Sequence, residues 1–296
     1  MVDHLSHRIE HFWDGVLDQR HDEVALRVSA LLLILYPPDG DYFALVALIL
    51  AIPMLLDGGM ARSKWLWAFV ALDCLASTWV HRHSQDNHKY LLLYWTLACS
   101  LAVWSDQAER VLVRNGRLLV ALVFTFAVSW KLLGGEVLSG EFFEWELLVD
   151  QRFAAFAGLF GDLAPSTAGL NRSGLDLLRA LPSEGLTMEL GTAPGVARAA
   201  LLLGWSMTLL EAVLAFSFWG ALLRRWSDLQ DWILIVFCLG TYTLTPIAGF
   251  GTILAVMGFA QAPSDRRELR EAYLWTLIFV QFARMPTFQI IQRLTA

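Results

Sequence analysis

The sequence predicts an all-α fold, a polytopic bundle of about eight or nine transmembrane helices with one long extracytoplasmic segment. Two observations carry this expectation. Of the 296 residues, 56% are hydrophobic and 17% charged, where soluble domains hold roughly 45–50% and 25%; mean hydropathy is +0.51. The arrangement is more decisive, because uncharged apolar runs recur along the whole chain, and a bilayer demands such runs of any helix that crosses it.

Residues 1–22 alternate charge with Ile9, Phe12, Trp13, Val16 and Leu17. That is helical spacing with one apolar face, so this amphipathic N-terminal segment is either an interfacial helix or a soluble cap. It holds no signal-peptide apolar core, and the spanning helices themselves are expected to direct insertion. A single bundle domain follows over 23–296. Its apolar runs cover 23–37, 42–56, 64–80, 89–105, 116–133, 195–222, 231–245, 246–261 and 271–286. Several are shorter than the roughly 20 residues of an upright span, so their helices are expected to reach into the interface. Pro37-Pro38-Asp39-Gly40 makes the first pair a hairpin with a tight turn, and Pro246 breaks the long 231–261 stretch. Residues 134–194 hold Gly, Ser, Pro, Glu and Asp among short amphipathic stretches. Within them EFFEWELLVDQRFAAFAGLF reads as one helix along the membrane surface or packed on the bundle.

The positive-inside rule orients the chain. Alternate crossings put Arg62 and Lys64, Arg110, Arg114 and Arg117, Arg224 and Arg225, and Arg266, Arg267 and Arg270 on the side of the N-terminus. That side is expected to be cytoplasmic, as in a multi-pass protein of a bacterial inner membrane. The 81–89 loop and the 134–194 segment then face outward. A net charge of -6 and a pI near 5.6 argue against nucleic acid as a partner. Cys74, Cys99 and Cys238 each lie in an apolar run, without metal or disulfide spacing, and read as small buried side chains.

Ionisable residues inside a spanning helix cost roughly 2.5–3.5 kcal/mol on insertion scales unless paired or hydrated. Four lie in these runs: Arg27, Asp73, Lys131 and Glu211. Arg27 is expected to pair with Asp73 or Glu211, forming an intramembrane network that holds helices together. Lys131 ends the run VALVFTFAVSWK. It either snorkels to the interface or serves as a base, since a desolvated lysine readily gives up its proton and a neutral amine accepts one from a weakly acidic hydroxyl. His81, His83 and His88 have the spacing H-x-H-x4-H, which is not a strong zinc pattern, and no metal is expected. Asn87 and His88 open the fourth run on the side where the fifth helix ends at Lys131. His88 and Lys131 are therefore expected to line one cavity toward the outer leaflet. The aromatics that follow, Phe142, Phe143, Trp145 and Phe153, are either a lid over that cavity or an interfacial anchor.

Three stretches resemble the membrane part of vitamin K-dependent γ-glutamyl carboxylase and its bacterial relatives with the horizontally transferred transmembrane domain. They are LRVSALLLIL with Arg27; Asn87-His88 followed by Tyr90 and Leu91; and FTFAVSWKLLGGEVLSGEFF with Lys131 and Gly140. The resemblance implies a carboxylase-like membrane lyase. Lys131 would deprotonate vitamin K hydroquinone or a menaquinol-like quinone, and His88 would assist carboxylation. Asn87, Tyr90 and Trp130, which lie in these stretches, would bind the cofactor. Membrane lipids and a lipid-soluble quinone are the implied partners, and the protein acceptor stays open. No counterpart of the carboxylase's large lumenal domain is expected. The helix after Cys238, GTYTLTPIAGFGTILAVMG, also lacks the polar His-Asn cluster of carboxylating members. Two other classes stand beside this one: a non-enzymatic membrane protein that binds a lipid or a partner protein, and a transporter suggested by the intramembrane charges.

Overall fold

A computed structural model describes residues 15, 17–180, 187–223, 229–244 and 247–283. The fold is all-α: the described residues form fourteen α-helices and one 3-10 turn, with no strand among them. In chain order the helices are α1 (His21–Leu35), α2 (Asp41–Leu56), α3 (Gly58–Ala61), α4 (Lys64–His81), α5 (Asn87–Trp104) and α6 (Ala108–Gly134). There follow α7 (Glu136–Ser139), α8 (Glu141–Val149), the 3-10 turn Gln151–Phe153, α9 (Ala154–Phe160) and α10 (Pro165–Ala180). Last come α11 (Val196–Leu222), α12 (Leu229–Leu244), α13 (Ala248–Gln261) and α14 (Arg267–Ala283). The amphipathic segment 1–22 lies outside the described residues up to Asp14, as do Arg224, Arg225 and Pro246.

Each apolar run is helical within its described residues, yet among the described residues only α6 and α11, 27 residues each, are long and apolar enough to cross a bilayer by length and composition. The expected eight or nine is corrected to two on that criterion, and the reason is geometric. At 1.5 Å per residue, 27 residues measure about 40 Å, while 16 measure about 24 Å against a hydrocarbon core of about 30 Å. Helices α2 and α12 have 16 residues and α13 has 14. Helices α4 and α5 reach 18 residues but carry Lys64, Asp73, His88 and Lys89.

The chain divides into two compact units. The first holds residues 1–123, 216–242 and 247–296; the second holds 124–215 and 243–246. In the first unit, α1 packs on α2 and α13, α4 on α5, and α13 on α14. Helix α13 is the axis, apolar all round and buried from Gly251 to Gln261, as expected of a helix with neighbours on every side. Its glycines admit tyrosine rings. A Cβ on Gly249 would lie 2.3 Å from the Tyr36 ring, on Gly251 2.6 Å from Tyr242, and on Gly258 2.0 Å from Tyr273. No larger residue fits beneath those rings.

The second unit has a core of its own. Phe143, Leu147, Leu148, Phe153 and Phe156 pack against Val196, Ala199, Ala200 and Leu203 of α11. The stretch 141–160 is not one helix but α8, a 3-10 turn and α9. Asp150 causes the break: its backbone is extended, and its carboxylate accepts from the Arg152 N–H at 2.8 Å, starting a new helical segment as a cap does.

Candidate functional site

Lys131 and Glu211 form an ion pair in the second unit. Lys131 stands in the last turn of α6, and Glu211 lies mid-run in α11. Their side chains are 16% and 9% exposed. The local sequence explains the approach. Gly135 and Gly140 sit at φ of +77° and +89°, backbone that only glycine adopts cheaply, and they end α6 and α7. The chain then folds back against α11. A Cβ on Gly204 would lie 2.1 Å from the Val137 carbonyl oxygen, and one on Gly140 would lie 3.2 Å from Leu201. The Thr208 hydroxyl, one turn before Glu211, is spent on the Gly204 carbonyl at 2.7 Å. The carboxylate of Glu211 therefore meets the ammonium of Lys131 with little polar competition. Two ionisable groups in contact can share one proton in two ways, as ammonium and carboxylate or as amine and carboxylic acid.

The expected network of Arg27, Asp73 and Glu211 does not form. Glu211 is engaged by Lys131. Arg27 donates from Nε to the Leu55 carbonyl at 3.0 Å and from Nη1 to Gln19 Oε1 at 2.9 Å. Leu55 is in the last turn of α2, where carbonyls lack intrahelical partners and the helix dipole favours a cation. Arg27 thus caps a helix instead of pairing with an acid. Asp73 keeps a buried Oδ2 with no hydrogen-bond partner among the described residues.

His88 lies in the first unit, where its ring stacks on Phe250 at 5.0 Å between centroids. Asn87 is exposed at the start of α5, and the Tyr90 hydroxyl donates to the Arg82 carbonyl at 3.4 Å. Trp130, beside Lys131, is 77% exposed. His81 turns Nδ1 to the Ser77 carbonyl at 3.1 Å and packs edge-on to Phe43, while His83 is exposed. Among the described residues no three His, Cys, Asp or Glu side chains gather as metal ligands would. Of the four aromatics after Lys131, Phe143 and Phe153 belong to the core of the second unit. Phe142 and Trp145 are 43% and 45% exposed.

Two charged centres in the first unit were not anticipated. Lys89, in the first turn of α5, faces Asp39 at 3.1 Å, donates to the Pro37 carbonyl and lies 3.7 Å from the Tyr36 ring centroid. A cation at a helix N-terminus opposes the dipole, and that misplacement was the available signal. Asp231, fully buried, accepts from the Tyr273 hydroxyl at 2.8 Å, from Gln261 Nε2 at 3.0 Å and from Gln230 Nε2 at 2.8 Å. It opens an apolar run in the sequence, which disguised it as a helix-start residue. In the second unit, the carboxyl groups of Glu146 and Asp150 share a hydrogen bond. Burial and the Asp150 carboxylate push the Glu146 carboxyl up to about 7. Asp150 is held below its ordinary value: burial opposes this, and the Arg152 guanidinium and N–H outweigh it. No family model matches the chain, and no curated protein or solved structure is significantly similar to it.

Proposed function

We propose that this chain is a multi-pass membrane protein with its N-terminus in the cytoplasm, and that its Lys131–Glu211 pair acts as a base toward a lipid-soluble hydroquinone. Support for more than two membrane helices comes from exposed apolar stripes. Tyr42, Leu45, Ile49, Ile52 and Leu56 run down α2, and Trp65, Phe69, Leu72, Leu75 and Trp79 down α4, at the three- and four-residue steps of a single helix face. At roughly 25 cal/mol per Å², such faces are costly in water and comfortable in lipid. A bacterial inner membrane is the proposed location.

The observation that carries the chemistry is the Lys131–Glu211 contact between two long apolar helices. When the shared proton rests on Glu211, Lys131 Nζ holds a free electron pair that can accept a hydroxyl proton. A naphthoquinol needs such a base beside an apolar wall. Phe126, Trp130 and Leu133 are exposed on a neighbouring face of α6, apolar surface on which the ring system of such a substrate would rest before reaching the pair. Bound there, the hydroquinone would contribute an acidic hydroxyl and two electrons. His88, Asn87 and Tyr90 enter this reading through the resemblance to the carboxylase family alone, as does the lyase activity.

The test is menaquinol or vitamin K hydroquinone consumption by the full chain in nanodiscs, with oxygen and bicarbonate present. Lys131→Ala should lower the rate about 100-fold or more, the usual contribution of a general base, with helicity unchanged. His88→Ala should uncouple consumption from carboxylation of any acceptor. Hydroquinone binding without turnover would replace this reading with that of a lipid-binding protein. Proton-coupled solute countertransport in vesicles would replace it with a transporter.

A further inference from the structure

The first unit holds an open cavity of about 930 Å³, within the size range of ligand sites. Its wall is rich in guanidinium: Arg20, Arg62, Arg110, Arg114 and Arg117 all line it, in a protein of net charge -6. The carboxylates present are unevenly matched to them. Asp22 sits between Arg20 at 3.3 Å and Arg62 at 3.4 Å, and Glu109 faces His21 at 3.6 Å. Asp106, the third, is exposed.

That leaves Arg110, Arg114 and Arg117, spaced to share one face of α6. Arg110 donates to neutral Gln107 at 3.1 Å. Arg114 and Arg117 form no ion pair among the described residues, and Arg117 Nε is buried with no hydrogen-bond partner. Arg110, in the first turn of the helix, also opposes its dipole. A buried unsatisfied donor and uncompensated like charges both cost free energy, and a bound anion relieves both. Guanidinium forks match phosphate oxygens in pairs.

The remaining wall has a different character. Leu118, Trp219 and Leu222 offer apolar surface continuous with the arginine face along α6 and α11. We infer that this cavity binds a phosphate group carried on an apolar body, with Arg114 and Arg117 holding the phosphate oxygens and Leu118, Trp219 and Leu222 the body. The phosphate could be brought by a lipid headgroup or by a soluble phosphate. None of the residues that line the cavity belongs to the Lys131–Glu211 pair.

The test uses the full chain in neutral detergent. Native mass spectrometry would follow retention of phosphatidylglycerol against phosphatidylcholine, and thermal shift would follow inorganic phosphate and pyrophosphate. Wild-type protein should retain phosphatidylglycerol selectively, and Arg114→Gln should reduce retention about tenfold, as loss of one charge-assisted contact predicts. Arg114 is exposed, so this variant should keep the wild-type melting temperature in detergent alone. Arg114→Gln combined with Arg117→Gln should abolish selectivity, and Arg179→Gln, an exposed arginine of the second unit, should leave it intact. Stabilisation by inorganic phosphate, lost in Arg114→Gln, would assign the site to a soluble phosphate and still support it. Equal retention of both lipids with no phosphate shift, or retention unchanged in the double variant, would overturn it.

Discussion

Lys131 and Lys89 are each the cation of a lysine–carboxylate pair, and their surroundings differ. Lys89 has three kinds of partner: the Asp39 carboxylate, the Pro37 carbonyl and the Tyr36 ring. The carbonyl and the aromatic face both attract an ammonium, and with Asp39 they tie the α1–α2 turn to α5. Lys131 meets Glu211, and Glu211 can take the proton itself. A lysine held by a carbonyl and a ring as well as its carboxylate is a structural post. A lysine facing one protonatable acceptor is suited to exchanging a proton.

This contrast is broken most directly by removing one partner of each pair. Glu211→Leu leaves an ammonium in an apolar setting, and losing one member of a buried pair costs about 3–5 kcal/mol. It should give the largest drop in thermal stability in detergent. Adding Lys131→Met should recover most of the loss, because two apolar side chains can replace a buried ion pair without penalty. If the double variant is as unstable as Glu211→Leu, the pair does not act as a unit.

Asp39→Asn should have a smaller effect, about 1–2 kcal/mol, since Lys89 keeps its carbonyl and its ring. Tyr36→Leu on the Asp39→Asn background should then cost more than it does alone. Purely additive losses in that double-mutant cycle would mean the three contacts do not cooperate around one cation.

The smallest expected effect sharpens the contrast with a carboxylate pair outside the long helices. Glu146 has its carboxyl raised from 4.5 to about 7, so the folded state binds this proton more tightly than the unfolded chain does. Its contribution to stability is fully present below about pH 4.5 and is lost as pH rises through about 7. Asp150 runs the other way, stabilising above its ordinary 3.8 and losing that contribution as pH falls through its depressed value. Glu146→Gln should therefore flatten the melting temperature between pH 4.5 and about 7, the interval between those two Glu146 values. An unchanged slope in that variant would assign the pH dependence to other groups.

Element positions were legible in the sequence because they depend on local signals. The runs 42–56, 64–80 and 195–222 match α2, α4 and α11 to within one residue, since apolar composition, proline and glycine act over a few positions. The stretch 141–160 was misread as continuous because a single Asp150 cap decides the break, and its apolar spacing continues through it. The length criterion for crossing a membrane was also misjudged: several runs are helices, but short ones.

The sequence alone identified Lys131 and Glu211 as residues that a long apolar helix does not carry without cause, while Lys89, a cation at a helix N-terminus, was not singled out. It could not choose their partners. Lys131 meets a carboxylate 80 residues away, and Arg27 meets a helix-end carbonyl 28 residues away instead of an acid. Pairing of that kind depends on which helix faces pack together. Packing is set by glycines such as Gly204 and Gly258, where the absence of a side chain lets another chain segment approach. Helix identity follows from local free-energy preferences that composition encodes directly. Charge pairing follows from close contacts that exist only once distant segments have folded against one another.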